Sequence, residues 1–413
     1  MDFQTIRNDF PLLAANPSLA YLDNAATTQK PESVLRAVSE FYQTGNANPL
    51  RGLYALSQRA TDLYEEAREA VRVFLHARSA EEIIFTRNAT ESLNLVAYSY
   101  GTLLHAGDEI VVSVMEHHSN LIPWQQLAER SGAVVKMVEC DESGAITKEA
   151  FQHALSNRTR IVALTQISNV LGTENDIRLF AELAHAVGAV FVCDGAQSVP
   201  HIPVDVEALG VDFLAFSGHK MCGPMGIGVL YGRRELLGQM PPFLFGGEMI
   251  EYVTREGATW AELPHKFEAG TVNAAGAAGL KAAIAYYGAI GFDEIVKREE
   301  QLGVAAYEAL CAVPQLHLLG AADPKAHHGI FTFTLEGVHP HDVAEILSAD
   351  GICVRAGHHC AQVLMQHMSV PSAVRVSLSF YNQEKEIERL AKSLRTIRGR
   401  MGYAEPFLSR DHQ

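Results

Sequence analysis

Asp212-Phe-Leu-Ala-Phe-Ser-Gly-His-Lys220, continued by Met221-Cys-Gly-Pro-Met-Gly-Ile-Gly-Val-Leu-Tyr231, is the stretch of sequence that decides the fold. Residues 213–217 are apolar or small, which predicts a short buried strand that ends just before a lysine. Residues 226–231 form a second apolar run that predicts another strand. The two runs are too close in sequence for a crossover helix, so we expect the second strand to be antiparallel to the first.

Lys220 stands in a turn whose composition favours close approach to a ligand. Four glycines and one proline occupy residues 218–228, and they let the backbone turn sharply. Burial at such a position lowers the pKa of a lysine and leaves a neutral amine that can attack a carbonyl carbon. The stretch therefore predicts Schiff-base chemistry, although Ser-Gly-His-Lys alone fits a surface lysine in a Gly/Pro hairpin equally well.

The composition is that of a soluble chain with ample core. Its 413 residues are 48% hydrophobic and 20% charged, which corresponds to two or three domain lengths. The net charge of −15 argues against nucleic acids and anionic membranes as partners. Residues 1–10 lack the apolar core of a secretory signal, and no run approaches a membrane span. We therefore expect a cytoplasmic protein.

The cysteines show no paired C-x-x-C spacing and are sparse for a chain of this length. Neither a disulfide framework nor a zinc ribbon is indicated, and reduced thiols are expected. The six positions are Cys140, Cys193, Cys222, Cys311, Cys353 and Cys360.

Strands alternate with amphipathic helices through the first two-thirds of the chain. The apolar runs predict strands at 83–86, 109–114, 133–139, 160–167 and 189–194. This alternation predicts an α/β fold with a mostly parallel sheet covered on both faces. Because parallel strands end at one common edge, we expect the ligand to bind there.

The pattern changes after about residue 279. One long helix is predicted over 280–310, and it is followed by a mixture of short strands and helices that ends in a basic helix over 385–400. Such a mixture predicts a smaller α+β domain that packs on the first and leaves a cleft.

Polar residues follow the predicted strands at the edge where a ligand is expected. Asp194, at the end of its strand, could pair with a protonated pyridine nitrogen, or it could simply cap a helix. Thr90 stands where a strand passes to a helix, so it could hold a phosphate at the helix N-terminus, or only cap it. Each interpretation remains open for each residue taken alone.

The histidine in Glu116-His117-His118 could stack on a planar ring and carry protons near neutral pH, although a double histidine is also common in turns. The pair Ser168-Asn169 has the same ambiguity. Cys360, in Arg355-Ala-Gly-His-His-Cys-Ala-Gln362, has neighbours that favour its thiolate, which suits a nucleophile. A metal site is the competing interpretation, but three contiguous ligands cannot easily converge on one ion.

A lysine, an aspartate, a stacking histidine, a phosphate cap and a thiol are together the expected parts of a pyridoxal-phosphate enzyme. The motifs that carry them resemble those of the cysteine desulfurase/selenocysteine lyase family of class V aminotransferase-fold enzymes, in particular its iron–sulfur assembly (SUF) type. The motifs are Asp23-Asn-Ala-Ala-Thr27, Thr90-Glu-Ser-Leu-Asn94, Glu116-His117-His118, Ser168-Asn169-Val-Leu-Gly-Thr173, Asp194-Gly-Ala-Gln197, Phe216-Ser-Gly-His-Lys220, Phe267-Glu-Ala-Gly-Thr-Val-Asn273 and Arg355-x-Gly-His-His-Cys360.

The resemblance implies a pyridoxal-phosphate-dependent transferase of fold type I, with a seven-stranded-type, mostly parallel sheet. It implies a large cofactor-binding α/β domain over 17–285. Residues 1–16 and 286–413 would form a smaller α+β domain that carries the catalytic cysteine loop. A homodimer is also implied.

The resemblance also implies a role for each site residue. Lys220 would carry the cofactor and, with His117 and Cys360, perform catalysis. The other cofactor-binding residues would be Thr90, His117 stacked on the ring, Asp194 on the ring nitrogen, Gln197 on the ring hydroxyl, Ser217, His219 and, from the other subunit, Thr271. Residues Asn169, Arg355 and Arg375 would bind the substrate carboxylate, and no metal site is expected.

The implied reaction converts L-cysteine to L-alanine and leaves sulfur on Cys360 as a persulfide, for transfer to an acceptor in iron–sulfur cluster assembly. The motif His339-Pro-His341-Asp-Val resembles desulfurases that use a zinc-containing acceptor, which His341 could contact; a surface residue at a helix start is the alternative. Selenocysteine lyase or C–S lyase activity, with release of free selenide or sulfide, is the alternative function.

Two interpretations from other classes are less favoured. A non-catalytic or nucleotide-binding α/β protein lacks support because no G-x-G-x-x-G turn follows an early strand. A metal-binding module would rest only on the His-rich segments. Departures from the family pattern bear on substrate preference: Leu50 and Tyr54 replace two histidines, Ala89 a threonine and Val363 a proline.

Overall fold

The computed structural model describes residues 3–403. Met1, Asp2 and residues 404–413, which belong to the predicted small domain, lie outside the described residues. Within 3–403, none of the helices combines the length and the apolar character that a membrane span needs.

A seven-stranded sheet forms the centre of the molecule. In spatial order its strands are Ile83–Thr86, Gly228–Gly232, Phe213–Ser217, Val190–Asp194, Thr159–Thr165, Glu109–Ser113 and Val134–Val138. The strand Gly228–Gly232 is antiparallel to both of its neighbours, and the remaining pairs are parallel. The prediction of a mostly parallel sheet with an antiparallel partner for 213–217 is confirmed.

The central strands are buried on both faces, as expected of a sheet that is covered by helices. Successive side chains of a strand point to opposite faces, so neighbouring residues enter two different apolar cores. Val111, Val162 and Leu214 pack into one core, and Ile110, Ile161 and Phe213 into the other. The α-helices are Phe3–Ile6, Pro11–Ala15, Glu32–Glu40, Ala55–Phe74, Ala89–Ser99, Ile122–Ser131, Lys148–Ala154, Ile177–Ala186, Val206–Leu209, Arg234–Gln239, Ala274–Ile290, Phe292–Cys311, Pro340–Ala349, Gln362–His367 and Glu384–Arg400.

The predicted single helix over 280–310 is wrong. The chain forms two helices, Ala274–Ile290 and Phe292–Cys311, which are separated by Gly291 at φ 85°. That backbone conformation ends a helix readily in glycine, whereas side chains disfavour it. The predicted domain limit between 285 and 286 falls inside the first of these helices, and the domain limits stay a prediction.

A smaller antiparallel sheet faces the carboxyl edge of the large one. Its strands are Leu316–Leu318, Ile330–Leu335, Ala373–Ser377 and Arg355–Gly357, in that spatial order. A two-residue strand from the start of the chain, Ala20–Tyr21, pairs with Ile352–Cys353. The N-terminal segment is thereby fixed beside the smaller sheet.

Gly228 lets the antiparallel strand pass very close to the turn that precedes the helix Ala89–Ser99. A Cβ atom at this position would lie 2.4 Å from the Cα atom of Asn88. The close approach brings the N-terminus of that helix beside the end of the strand Phe213–Ser217, where the Ala89 amide donates to the Ser217 hydroxyl at 2.9 Å.

Gly172 is expected to be essential for packing the loop 168–173. It has φ +71°, and a Cβ atom there would lie 1.8 Å from the backbone oxygen of His327. We expect Gly172→Ala to lower the free energy of unfolding by at least about 3 kcal/mol, because backbone must move as well as adopt a strained φ.

Gly188→Ala is the matched control. Gly188 has φ +80° but no atom within 4 Å of the added Cβ, so only the conformational cost of about 1–2 kcal/mol applies. Urea unfolding of both variants measures the difference, and equal losses would contradict the role given to the His327 contact.

Candidate active site

A cavity of ≈ 580 Å³ opens between the carboxyl edge of the large sheet and the smaller sheet. Three parallel strands end at it, with Thr165, Asp194 and Ser217 in its wall. It brings together residues that are more than 280 positions apart in sequence, and all but one of the predicted site residues line it. Those present are Thr90, His117, Asn169, Asp194, Gln197, Ser217, His219, Lys220, Arg355, Cys360 and Arg375, together with His341.

Thr271 is the predicted residue that does not line this cavity. It is exposed, in the segment between Gly270 and the cap residue of the helix Ala274–Ile290. In its own chain it faces a separate surface hollow shared with Phe41 and Asn46.

Lys220 projects into the cavity from a short turn, Gly218–Lys220, directly after the strand Phe213–Ser217. Burial lowers its pKa to about 8, while the nearby Asp194 opposes this shift and Arg375 adds to it. A substantial fraction of this amine is therefore neutral, and nucleophilic, at mildly alkaline pH.

Asp194 and Gln197 retain polar capacity that the chain itself does not use. Asp194 is buried, accepts a hydrogen bond from the Ala196 amide at 3.0 Å, and has its pKa raised by burial and lowered by Lys220. The amide of Gln197 donates to the backbone oxygen of Ala25 at 2.8 Å, but its buried side-chain oxygen has no partner. Since buried polar atoms are normally paired, this oxygen fits a donor from a bound group.

The helix Ala89–Ser99 begins at the cavity, where its free backbone amides suit a phosphate. The exposed Thr90 hydroxyl lies 2.7 Å from the Ser119 hydroxyl, so a polar rim surrounds this end. His219 lies on the same side, and burial together with Lys220 lowers its pKa to about 4.

His117 presents a neutral ring to the cavity. Burial, with a smaller effect of Lys220, lowers its pKa to about 3. Its Nδ1 accepts a hydrogen bond from the Ser119 amide at 3.1 Å, which leaves the proton of a neutral ring on Nε2. This geometry suits an uncharged ring that stacks on a planar group.

Three residues that sequence reasoning did not single out support the predicted ones. Ser119 connects Thr90 to the His117 ring, and its position two residues after the histidine was the available signal. Lys30 donates to the backbone oxygen of His219 at 2.8 Å. Glu116, whose pKa burial raises to about 8, accepts hydrogen bonds from Ser113 and Asn120 and so fixes the histidine turn.

The arginines occupy the opposite wall. Arg375 is buried, donates from Nη1 to the backbone oxygen of Asn169 at 2.8 Å, and has an Nε without a partner. Burial lowers its pKa to about 10, which leaves it charged at neutral pH. Arg355 is half exposed and forms an ion pair with Asp23 at 2.9 Å. Arg375 thus has donor capacity available for an anion.

Cys360 is exposed at the cavity on an irregular loop. His359 and Cys360 have φ values of 54° and 55°, a conformation that non-glycine residues rarely adopt and that is often found at functional sites. The loop is fixed from two sides, since the His118 amide donates to the Cys360 oxygen at 2.7 Å and the Asn169 side chain to the His359 oxygen at 2.7 Å. Among residues 3–403, no three His, Cys, Asp or Glu side chains are grouped so that they could hold a metal ion.

Comparison with known proteins decides the family. Residues 20–390 match the family model described as aminotransferase class-V. The chain belongs to this family. A probable cysteine desulfurase of Halalkalibacterium halodurans is 49% identical over 98% of this chain and 100% of its own length.

Solved structures agree with the family assignment. The apo cysteine desulfurase of Thermococcus onnurineus has a TM-score of 0.92 and 40% identity, and covers 96% of this chain and 98% of its own. The cysteine desulfurase CsdA of Escherichia coli has a TM-score of 0.90 and 38% identity with the same coverage. The predictions of the fold type, of a cysteine desulfurase and of pyridoxal phosphate as its cofactor are confirmed.

The residues of this class V aminotransferase fit that cofactor. An aldehyde needs a neutral amine, a pyridine nitrogen a carboxylate, a ring hydroxyl an acceptor, and a phosphate a helix N-terminus. The cavity supplies each of these groups, in Lys220, Asp194, the unpaired oxygen of Gln197 and the start of the helix Ala89–Ser99.

The low pKa of Lys220 is testable in the protein freed of its cofactor. We expect acetylation of Lys220 by a short pulse of acetic anhydride to reach half its maximal rate near pH 8, because burial favours the neutral amine. Mass spectrometry of the peptide containing Lys220 gives the profile. Asp194→Asn should move the midpoint to lower pH, since Asp194 favours the charged form; a midpoint above pH 10 in the wild type would show a solvated lysine.

Proposed function

We propose that this enzyme converts L-cysteine to L-alanine with the sulfur held as a persulfide on Cys360, and then passes that sulfur to an acceptor protein for iron–sulfur cluster assembly. The observation that carries the proposal is the placement of the Cys360 thiol in one cavity with Lys220 and Arg375. A nucleophile, an amine and a carboxylate-binding group are the groups that this reaction needs.

Lys220, Asp194, Gln197 and His117 bind the cofactor in this proposal, with Thr90, Ser217 and His219 at its phosphate. When bound, pyridoxal phosphate supplies an electron-withdrawing ring that makes the Cα proton of the substrate acidic. The buried Asp194 carboxylate keeps the ring nitrogen protonated, and the uncharged His117 ring covers one face without competing for that proton.

Arg375 binds the substrate carboxylate through its free donors, and Asn169 holds both Arg375 and the cysteine loop in position. Lys220 accepts the Cα proton at its Nζ, for which a pKa of about 8 is suitable near neutral pH. The Cys360 thiolate then attacks the sulfur of the substrate. The new S–S bond forms as the C–S bond breaks, its electron pair stays with carbon, and protonation gives alanine.

A second copy of the chain completes the site in this proposal. The exposed Thr271 lies too far from the cavity of its own chain to line it, and it is free to reach that of a partner. The hairpin Ile250–Val253 and Ala258–Trp260 also presents apolar side chains to solvent, with Tyr252 68% and Val253 66% exposed. Burial of such side chains favours association of two copies.

The acceptor binds at the open side of the cavity, where His341 and Cys360 both lie. His341 is exposed and begins the helix Pro340–Ala349, and its backbone amide donates to the ring of His339. An exposed imidazole here can contact the zinc ion of an acceptor. The proposed place of action is the cytoplasm.

Replacing the nucleophile separates the proposed reaction from selenide or sulfide release without a relay. We expect Cys360→Ala to bind cofactor and L-cysteine but to lose protein-bound sulfur by at least about 100-fold. Trapping with an alkylating reagent and mass spectrometry measures the persulfide. Cys311→Ala, which removes another exposed thiol outside the cavity, is the control and should form normal amounts. Undiminished persulfide in Cys360→Ala would refute the relay.

The acceptor contact is tested separately. We expect His341→Ala to lower sulfur transfer to a zinc-containing acceptor about tenfold, which corresponds to the loss of ~1.4 kcal/mol of binding. Persulfide formation without acceptor should be preserved. His317→Ala removes an exposed histidine on the strand Leu316–Leu318 and serves as control. Equal transfer rates in both variants would leave His341 only its place at the helix start.

A further inference from the structure

Asp23 lies against both arginines of the cavity. Its Oδ2 is 2.9 Å from Nη2 of Arg355 and its Oδ1 is 3.2 Å from Nε, so the pair is bidentate. The same Oδ1 is 3.6 Å from Nη2 of Arg375. One carboxylate is thus shared by two guanidinium groups.

The backbone fixes Asp23 behind these arginines. Asp23 forms a bridge to Ser377, and the preceding strand Ala20–Tyr21 pairs with Ile352–Cys353. The side chain of Asp23 is 14% exposed, and it does not itself line the cavity, whereas both arginines do. A substrate therefore meets the guanidinium groups and not the carboxylate.

We propose that Asp23 sets the charge selectivity of the enzyme, favouring amino acids with an uncharged side chain over those with an anionic side chain such as a carboxylate or sulfinate. The proposal deepens the proposed function, since it rests on these arginines binding the substrate carboxylate. Two guanidinium groups and one carboxylate carry a net charge of +1, which matches a single anionic group.

The two arginines differ in what they can still donate. Arg355 uses Nε and Nη2 on Asp23, while Arg375 keeps a buried Nε without a partner. Arg375 is therefore the donor for the α-carboxylate, and Asp23 prevents Arg355 from offering an equal site to a second anion. Without the charge of Asp23, the net charge becomes +2 and a dianionic ligand gains a counter-charge.

The remaining charged and titratable groups of the cavity wall are the same with and without Asp23. They are Lys220, Asp194, His117, His219, His341, His358, His359 and Cys360. Their contributions cancel when two ligands of one shape are compared in both proteins. Across several ångströms of partly buried protein, one unit charge changes the affinity for another by about tenfold or more.

L-Aspartate and L-asparagine are the probes, because they have the same shape and differ by one negative charge. Isothermal titration calorimetry on the holoenzyme gives Kd for each. In Asp23→Asn we expect the ratio of the aspartate Kd to the asparagine Kd to fall about tenfold relative to the wild type. If both Kd values change by the same factor, Asp23 has only a structural role and the proposal is overturned.

Two further variants keep the proposal testable. The double variant Asp23→Asn with Arg355→Gln restores the net charge of +1, and the ratio should return toward the wild-type value. If Asp23→Asn does not fold, Arg355→Gln alone lowers the net charge to zero, and the ratio should rise; an unchanged ratio would again overturn the proposal. Neither probe contains sulfur, so failure of the Cys360 relay would leave this ratio unaffected.

Discussion

Removal of the Lys220 amine from water is the constraint on which the site depends. A solvated lysine is protonated and chemically inert toward carbonyls, so the strand Phe213–Ser217 must end inside the molecule. The antiparallel strand Gly228–Gly232 makes this possible, because it returns the chain at once and covers the turn. The same strand, through Gly228, brings the helix N-terminus at Ala89 to the other side of the lysine.

Burying one amine requires control of the charges around it. Asp194 favours the charged lysine and Arg375 disfavours it, while burial has the largest effect. The histidines of the cavity contribute little charge, since burial keeps His117 and His219 neutral at physiological pH. The result is a wall with a few definite charges, in which each arginine and carboxylate can be given a separate task.

Local sequence predicts the elements well and their long-range relations poorly. The strands of the large sheet, and the residues that end them, follow from apolar runs and the polar residues after them. The break at Gly291 was missed because the apolar pattern continues through it. The left-handed backbone at Cys360 has no residue signature, and the partners of Asp23 lie more than 330 positions away. What a second copy contributes, as at Thr271, is likewise absent from local pattern.

The pairing of Ala20–Tyr21 with Ile352–Cys353 has a consequence for biosynthesis. Ala25 and Ala26 form part of the cavity wall, yet the strand that fixes them leaves the ribosome only after most of the chain has been made. Contacts between such distant segments form late. The vitamin-derived group must therefore be captured after translation is nearly complete, so a nascent or truncated polypeptide cannot sequester it prematurely.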